Sequence, residues 1–447
     1  MTDKTSNVLA LSALTLAMSA PALAVDNGSN VVAADYEDYV LNVKLGSNNC
    51  GGALLGAQYF LTAKHCVTGT TGSTGTMTYG QTINESDAVN TVGYTVVLTG
   101  EDNGLGADWV SKADDHYNNV LKVADAGLFG YSLQDNFLSK DYALLKLDKA
   151  IGHSTGALLS PLYDFDNSIS YLPLDTDMTF RGWGVDAQGS THATMQTMNF
   201  KTMTQWQQAW TNGTDAGNVF DADVGTDVPV ICTQTTYNGV TGDLCTWNGQ
   251  DTIDLYVSGD KSSLTGGDSG TPISYNNRIL GIAKSSFGEY SDSFQHFTYS
   301  LDHFVSAING VLYPTAQKTV TSGATGTQSF TIAVQNFTNV DQTFAPSLVD
   351  STGQFSADVS GCAATISSKD GCVMTATFNP NGAAITSTFS AEIDMGNGNS
   401  VPLSVVPVAA DTNTGNTGST GGGSGGGSLG FFGLFGLALL AFRRNKK

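Results

Sequence analysis

The chain has 447 residues, with 40 acidic side chains against 19 basic and a formal net charge of −21. That length allows two or three domains and a large buried core. So acidic a body argues against a nucleic acid or an anionic lipid surface as partner, because phosphate binding needs concentrated Lys and Arg, and it favours a soluble monomer.

In chain order, the first signal is an export signal. Residues 8–18, VLALSALTLAM, form a short apolar run behind Lys4, and Ala22 and Ala24 then flank Leu23 in the small-residue pattern of a signal-peptidase site. Residues 1–24 are therefore expected to leave the mature protein. Export implies an oxidising compartment, where the six cysteines can form up to three disulfides. From Val25 onward, short β-rich runs alternate with Gly, Asn and Asp turns: DYVLNVKL (38–45), YTVVLTG (94–100), YALLKL (142–147) and RILGIAKSSF (278–287). Strands at this spacing predict an all-β barrel or sandwich. In LDHFVSAIN (301–309), Leu301, Phe304, Val305 and Ile308 recur at helical spacing, so a helix closes this first domain, residues 25–312.

Residues 313–410 change texture. Period-two runs such as SFTIAV (329–334), CVMTATF (372–378) and FSAEIDM (389–395) predict a second, smaller β-sandwich, immunoglobulin-like in size and pattern. Nothing in it looks catalytic, so it is read as a module for binding or secretion. The acidic loop EDNGLGADWVSKADD (101–115) is read as a solvated insertion rather than a calcium site, and no C-x-x-C pair suggests zinc. No cofactor or metal is expected.

The end of the chain is tripartite. A Gly/Ser/Thr-rich linker, 411–428, is followed by 14 apolar or glycine residues, Leu429 to Phe442, and by the basic end RRNKK, so that residues 429–447 form a hydrophobic sorting or anchor helix. At about 1.5 Å per residue the apolar run reaches roughly 21 Å, short of a bilayer core of about 30 Å. This tail resembles the GlyGly-CTERM sorting signal of Gram-negative exported proteins. The resemblance implies cleavage by a rhomboid-type protease, passage through type II secretion, and a secreted or outer-surface destination. The other reading is a weak single-pass anchor.

Three stretches carry chemistry. LTGGDSGTPI (264–273) holds Ser269 in a glycine-rich turn, and such a turn alone is common. CGGALLGAQYFLTAKHCV (50–67) carries His65, and KDYALLKLD (140–148) places Asp141 at the head of an apolar strand. A serine hydroxyl is a weak nucleophile that needs a base within hydrogen-bond reach and a carboxylate to orient that base. With LTAKHC, DYALLKL, GGDSGTP, RGWG (181–184) and SSFG (285–288) in this order, the chain resembles the trypsin/chymotrypsin-like serine endopeptidases across roughly residues 25–310.

The resemblance implies a chymotrypsin-like double β-barrel with a C-terminal helix, acting on protein or peptide substrates. His65 would be the general base, Asp141 its orienting carboxylate and Ser269 the nucleophile. The N–H groups of Gly267 and Ser269 would form the oxyanion hole. Disulfides Cys50–Cys66, Cys232–Cys245 and Cys362–Cys372 are expected by proximity and resemblance. The family's new N-terminus, which pairs with the Asp before the nucleophile, would be Val25, freed by signal peptidase and paired with Asp268. The specificity pocket would involve Ser263, Ser286, Phe287 and Gly288. Ser263 at its floor favours an apolar or aromatic side chain, and Asp260 is the floor if the register slips. Two departures stand out: Thr265 replaces a disulfide-bonded cysteine, and Thr271 replaces a glycine of the nucleophile turn, either straining it or being tolerated. The competing reading is a catalytically silent, protease-like binding or adhesion protein.

Overall fold

Alternation decides which strand faces are buried. In Asn90–Thr99 the side chains of Val92, Tyr94, Val96 and Leu98 are buried, while Asn90 and Thr91 are exposed, the period of two expected of a half-buried sheet. The computed structural model of the protein describes residues 29–32, 36–80, 90–100, 141–161, 163–164, 169–170, 177–184, 195–202, 206–211, 218–221, 226–229, 231–237, 240–248, 254–259, 264–286, 292–297 and 300–409. The expected signal segment, the 101–115 loop, and the linker and tail lie outside these residues. Among the described residues, no helix is long and apolar enough to cross a membrane.

The first barrel is a closed ring of six strands. Val40–Leu45, Asn48–Leu55, Tyr59–Thr62, Ala143–Leu147, Asn90–Thr99 and Thr74–Gly80 pair in that order, and Thr74–Gly80 returns to Val40–Leu45. Val43, Leu54, Phe60, Met77, Val96 and Leu145 fill it.

A second ring follows. It runs through Asp177–Gly182, Pro272–Tyr275, Arg278–Ser286, Asp292–His296 and Asp254–Gly259 to Gln196–Thr202, which pairs back onto Asp177–Gly182. Met178, Phe180, Ile273, Leu280 and Phe294 form its core. One tight hairpin sets the register next to the Ser269 turn. Asn276 and Asn277, with φ of 48° and 59°, connect Tyr275 to its partner Arg278, and two positive φ angles are what a two-residue hairpin loop of the matching twist requires. Between 202 and 254 the chain makes a separate sheet of Trp206–Thr211, Val240–Asn248 and Ile231–Tyr237.

The helix lies at Leu301–Ile308, buries Leu301, Phe304 and Val305, and ends at Asn309 in a left-handed conformation with its N–H on Val305 O. Beyond it, two four-stranded sheets pack face to face. Phe330, Ile332, Met374 and Phe378 from one meet Ile393, Val401, Leu403 and Val405 from the other, and the Cys362–Cys372 disulfide is formed there. The expected all-β double barrel with a closing helix and a further β-sandwich is the observed architecture.

The sandwich is seated on the barrels through specific polar bonds. The Gln335 amide donates to Leu159 O and accepts from Leu159 N at 2.9 Å. Arg278 reaches both Ser160 Oγ at 2.6 Å and the Asp370 carboxylate, and Lys369 pairs with Asp302 at 2.9 Å. Phe337 ends the sandwich strand Gln328–Phe337, and its side chain packs into the core cluster that holds the first barrel and the closing helix.

Candidate active site

His65 sits in one turn of 3-10 helix, Lys64–Cys66, that follows the strand Tyr59–Thr62. Several bonds hold this turn and the strand that leads into it. The Cys50–Cys66 disulfide ties it to the neighbouring strand. Thr62 Oγ1 donates to Gly51 O at 2.7 Å, and Asn48 Nδ2 donates to Cys66 O at 3.2 Å. The sequence reading missed Thr62 and Asn48 as supports, although Thr62 lies inside the quoted LTAKHC motif.

Asp141 heads the strand Ala143–Leu147. Its neighbour Tyr142 is buried, stacks on Phe304 at 5.5 Å and meets Phe297 edge-on at 5.9 Å. The closing helix therefore fixes the segment that presents the carboxylate. Asp141 grips His65 from two sides: the His65 backbone N–H donates to Oδ1 at 3.0 Å, and Nδ1 lies 2.9 Å from Oδ2 and 3.1 Å from Oδ1. A carboxylate can only accept here, so Nδ1 carries a proton, and in the neutral ring the lone pair is then on Nε2. Burial pulls the Asp141 carboxyl upward, but the hydrogen bonds and charge of His65, with the charge of Lys284, outweigh it and hold it below the usual carboxylate range.

Ser269 lies in a turn shaped by two glycines in the left-handed region, Gly267 at φ 102° and Gly270 at φ 83°. Both barrels pin this turn. From the first, Gly51 N–H donates to Ser269 O at 2.8 Å; from the second, Ala283 O accepts from Gly270 N–H at 2.8 Å. A Cβ at position 270 would lie 2.3 Å from Thr62 Oγ1 and 2.7 Å from Ala63 N. The residue after Ser269 thus rests against the segment that leads into His65, and only glycine fits there.

Asp268 is fully buried. Its carboxylate accepts from Gly184 N–H at 2.8 Å and from Thr265 N–H at 3.0 Å. Burial is the dominant influence and pushes its carboxyl up to about 6, against the pull of the amides of Thr265, Gly184 and Trp183 and the Thr265 hydroxyl. Thr265, which stands where the resemblance has a disulfide-bonded cysteine, supplies two donors to this carboxylate.

The sequence site is therefore assembled in part. His65 and Asp141 are in direct contact, and Ser269 is held against the His65 segment. Gly267 and Ser269 share one turn. In the separate sheet, Cys232 is the register partner of Cys245. Ser286 ends a strand opposite Asp292, while Val25, Asp260, Ser263, Phe287 and Gly288 lie outside the described residues. Thr271 is accommodated, because its side chain stands over Gly51, which has none.

Residues 26–308 match the family model described as Trypsin. The chain belongs to the trypsin family. Among solved structures, this trypsin-family chain is similar to the secreted serine protease VesC from Vibrio cholerae, with 16% identity over 86% of this chain and 71% of that one and a TM-score of 0.35. It is also similar to the VesB protease from Vibrio cholerae (16% identity, 85% and 97% covered, TM-score 0.34). A third is the scabies mite inactivated protease paralogue S-D1 (16% identity, 64% and 98% covered, TM-score 0.37). No curated protein matches the chain.

Proposed function

We propose that this trypsin-family chain is an exported serine endopeptidase that hydrolyses peptide bonds through His65, Asp141 and Ser269. The observation that carries the reading is the two-sided grip of Asp141 on His65, and the reading assigns Nε2 as the base that serves Ser269. In this mechanism Nε2 takes the Ser269 proton as Oγ attacks the peptide carbonyl. Asp141 stabilises the imidazolium that results. The N–H groups of Gly267 and Ser269 receive the oxyanion, a role in which one lost donor costs about 3–4 kcal/mol of barrier. His65 then returns the proton to the leaving amine, and water releases the acyl-enzyme by the same path reversed.

Activation follows from the same reading. Signal peptidase exposes Val25, whose amino group pairs with the buried Asp268. Ser29 pairs with Thr197, and four residues of chain span up to about 13 Å, a reach that suits a return to the Gly182–Gly184 segment around Asp268. Cys232–Cys245 closes the third disulfide. The tail is removed during type II secretion by a rhomboid-type protease, and the pocket built around Ser263 takes an apolar side chain.

The test is cleavage of a mixed peptide library by protein beginning at Val25, beside Ser269→Ala, with products mapped by mass spectrometry. Cuts present in the first and absent in the second are the expected result, and the residue before each cut reports the pocket. Absence of cuts, with no labelling of Ser269 by a fluorophosphonate, would replace the enzyme reading by the silent binding protein.

A further inference from the structure

One buried hydroxyl stands where the segments of His65, Asp141 and Ser269 meet. The ladder between Asn48–Leu55 and Tyr59–Thr62 ends at Ala53 opposite Leu61. Beyond that pair, the two backbone groups of Gly51 turn to other partners. The Gly51 N–H donates to Ser269 O at 2.8 Å, and Gly51 O accepts from Thr62 Oγ1 at 2.7 Å. Gly51 therefore bridges the Ser269 turn and the strand that runs into the His65 turn. Thr62 is fully buried and is the register partner of Ala143, two residues beyond Asp141. Its Oγ1 lies 2.3 Å from the place that a Cβ at Gly270 would take, so the Ser269 turn also rests on it directly.

We infer that Thr62 is a positioning residue: its hydroxyl fixes Gly51, which holds Ser269 O, and so sets the spacing of the Ser269 turn from the His65–Asp141 pair. The inference rests on the triad reading above. A strand position favours a β-branched side chain, and Val would fill a similar volume, but only Thr brings the proton that Gly51 O accepts. Loss of the hydroxyl removes a donor from a buried carbonyl. The Gly51 backbone is then free to turn, which loosens its N–H from Ser269 O. A misplacement of about 1 Å between reacting groups costs on the order of a hundredfold in rate, and such a loss falls on kcat rather than on substrate binding.

The experiment compares Thr62→Val, Thr62→Ala and Thr62→Ser with the wild type, all beginning at Val25, in steady-state hydrolysis of one fluorogenic peptide that the wild type cuts. In parallel, amide hydrogen exchange is followed in a Ser269→Ala background, which requires no activity. The two reporters share a strand: Gly51, whose N–H reaches Ser269 O, and Leu54, whose N–H reaches Tyr39 O at 2.8 Å. Thr62→Val and Thr62→Ala are expected to lose about ten- to a hundredfold in kcat with KM held within about twofold. Exchange at Gly51 should quicken about tenfold while Leu54 keeps its wild-type rate. Thr62→Ser retains the donor and should recover most of both losses. An unchanged kcat in the Val and Ala variants, a loss carried in KM, or a Ser variant no better than Ala overturns the inference. So does equal loosening of Gly51 and Leu54, the mark of lost packing alone. Val and Ala differ in volume, which guards against one variant that fails to fold. If wild-type protein shows no Ser269-dependent hydrolysis, the enzyme reading fails, and exchange at Gly51 against Leu54 still decides whether Thr62 holds the Ser269 turn.

Discussion

The side chain of Thr271 occupies the space that any side chain at position 51 would need. A Cβ on Gly51 would lie 1.8 Å from Thr271 Oγ1 and 2.9 Å from its Cβ. Thr271 Oγ1 is buried and, among the described residues, has no hydrogen-bond partner, so it is held by shape. Gly51→Ala must therefore push the Ser269 turn away from the first barrel, at a cost of about 1–3 kcal/mol for overpacking. Thr271→Gly in that background should recover part of the loss. A double-mutant cycle by urea unfolding checks this, and a coupling below about 0.5 kcal/mol would mean the two residues are independent.

Asp141→Asn exchanges an acceptor for a donor at the His65 ring. If the amide oxygen keeps the His65 backbone N–H, the amide nitrogen faces Nδ1 and favours the tautomer with its proton on Nε2. The base is then blocked towards Ser269. Peptide hydrolysis near neutral pH should fall about ten-thousandfold in kcat. A loss of less than tenfold would remove Asp141 from the mechanism.

These relationships differ in how far the chain announces them. The strands around His65 and Asp141 were legible because their apolar alternation is local, and the helix at 301–308 because Leu301, Phe304 and Val305 share one face. The contact of His65 with Asp141 was legible from the motifs around them and their order. Thr271 was not, since its fit depends on a glycine in the other barrel. The bulge at Lys284 was hidden for a similar reason: RILGIAKSSF reads as one strand, and the bulge exists only in its pairing with Asp292–His296. Gln335 carries no local signal at all, because its role lies in the bonds between its amide and Leu159, far away in the chain.

Phe337 ties the sandwich to the His65–Asp141 pair by packing. Its ring stacks on Phe304 at 6.1 Å, and Phe304 stacks on Tyr142, the neighbour of Asp141. Phe337→Ala should cost about 3–5 kcal/mol. Val340→Ala, at an exposed site on the same module, should stay within about 0.5 kcal/mol. Equal costs in denaturant unfolding would show that the first barrel does not depend on the sandwich.

Asp268 gives a pH dependence whose sign follows from its burial. Its folded-state carboxyl is raised to about 6 from an ordinary 3.8, so between these values the folded protein binds a proton that the unfolded chain has released. Stability then falls as pH rises from about 4 to 6 and levels off above, a loss of roughly 3 kcal/mol across that interval. Glu37 is also raised by burial, against the pull of Arg181, so the comparison needs Asp268→Asn, in which the Asp268 share of the slope disappears. Protein beginning at Val25 should also lack that share, because a paired amino group keeps Asp268 ionised, whereas protein with one extra residue before Val25 should retain it. Chemical denaturation at pH 4.5 and 7 measures all three. An identical slope in the Val25 and extended forms would sink the activation pair while leaving the buried carboxylate intact, and an unchanged slope in Asp268→Asn would assign the whole dependence to other groups such as Glu37.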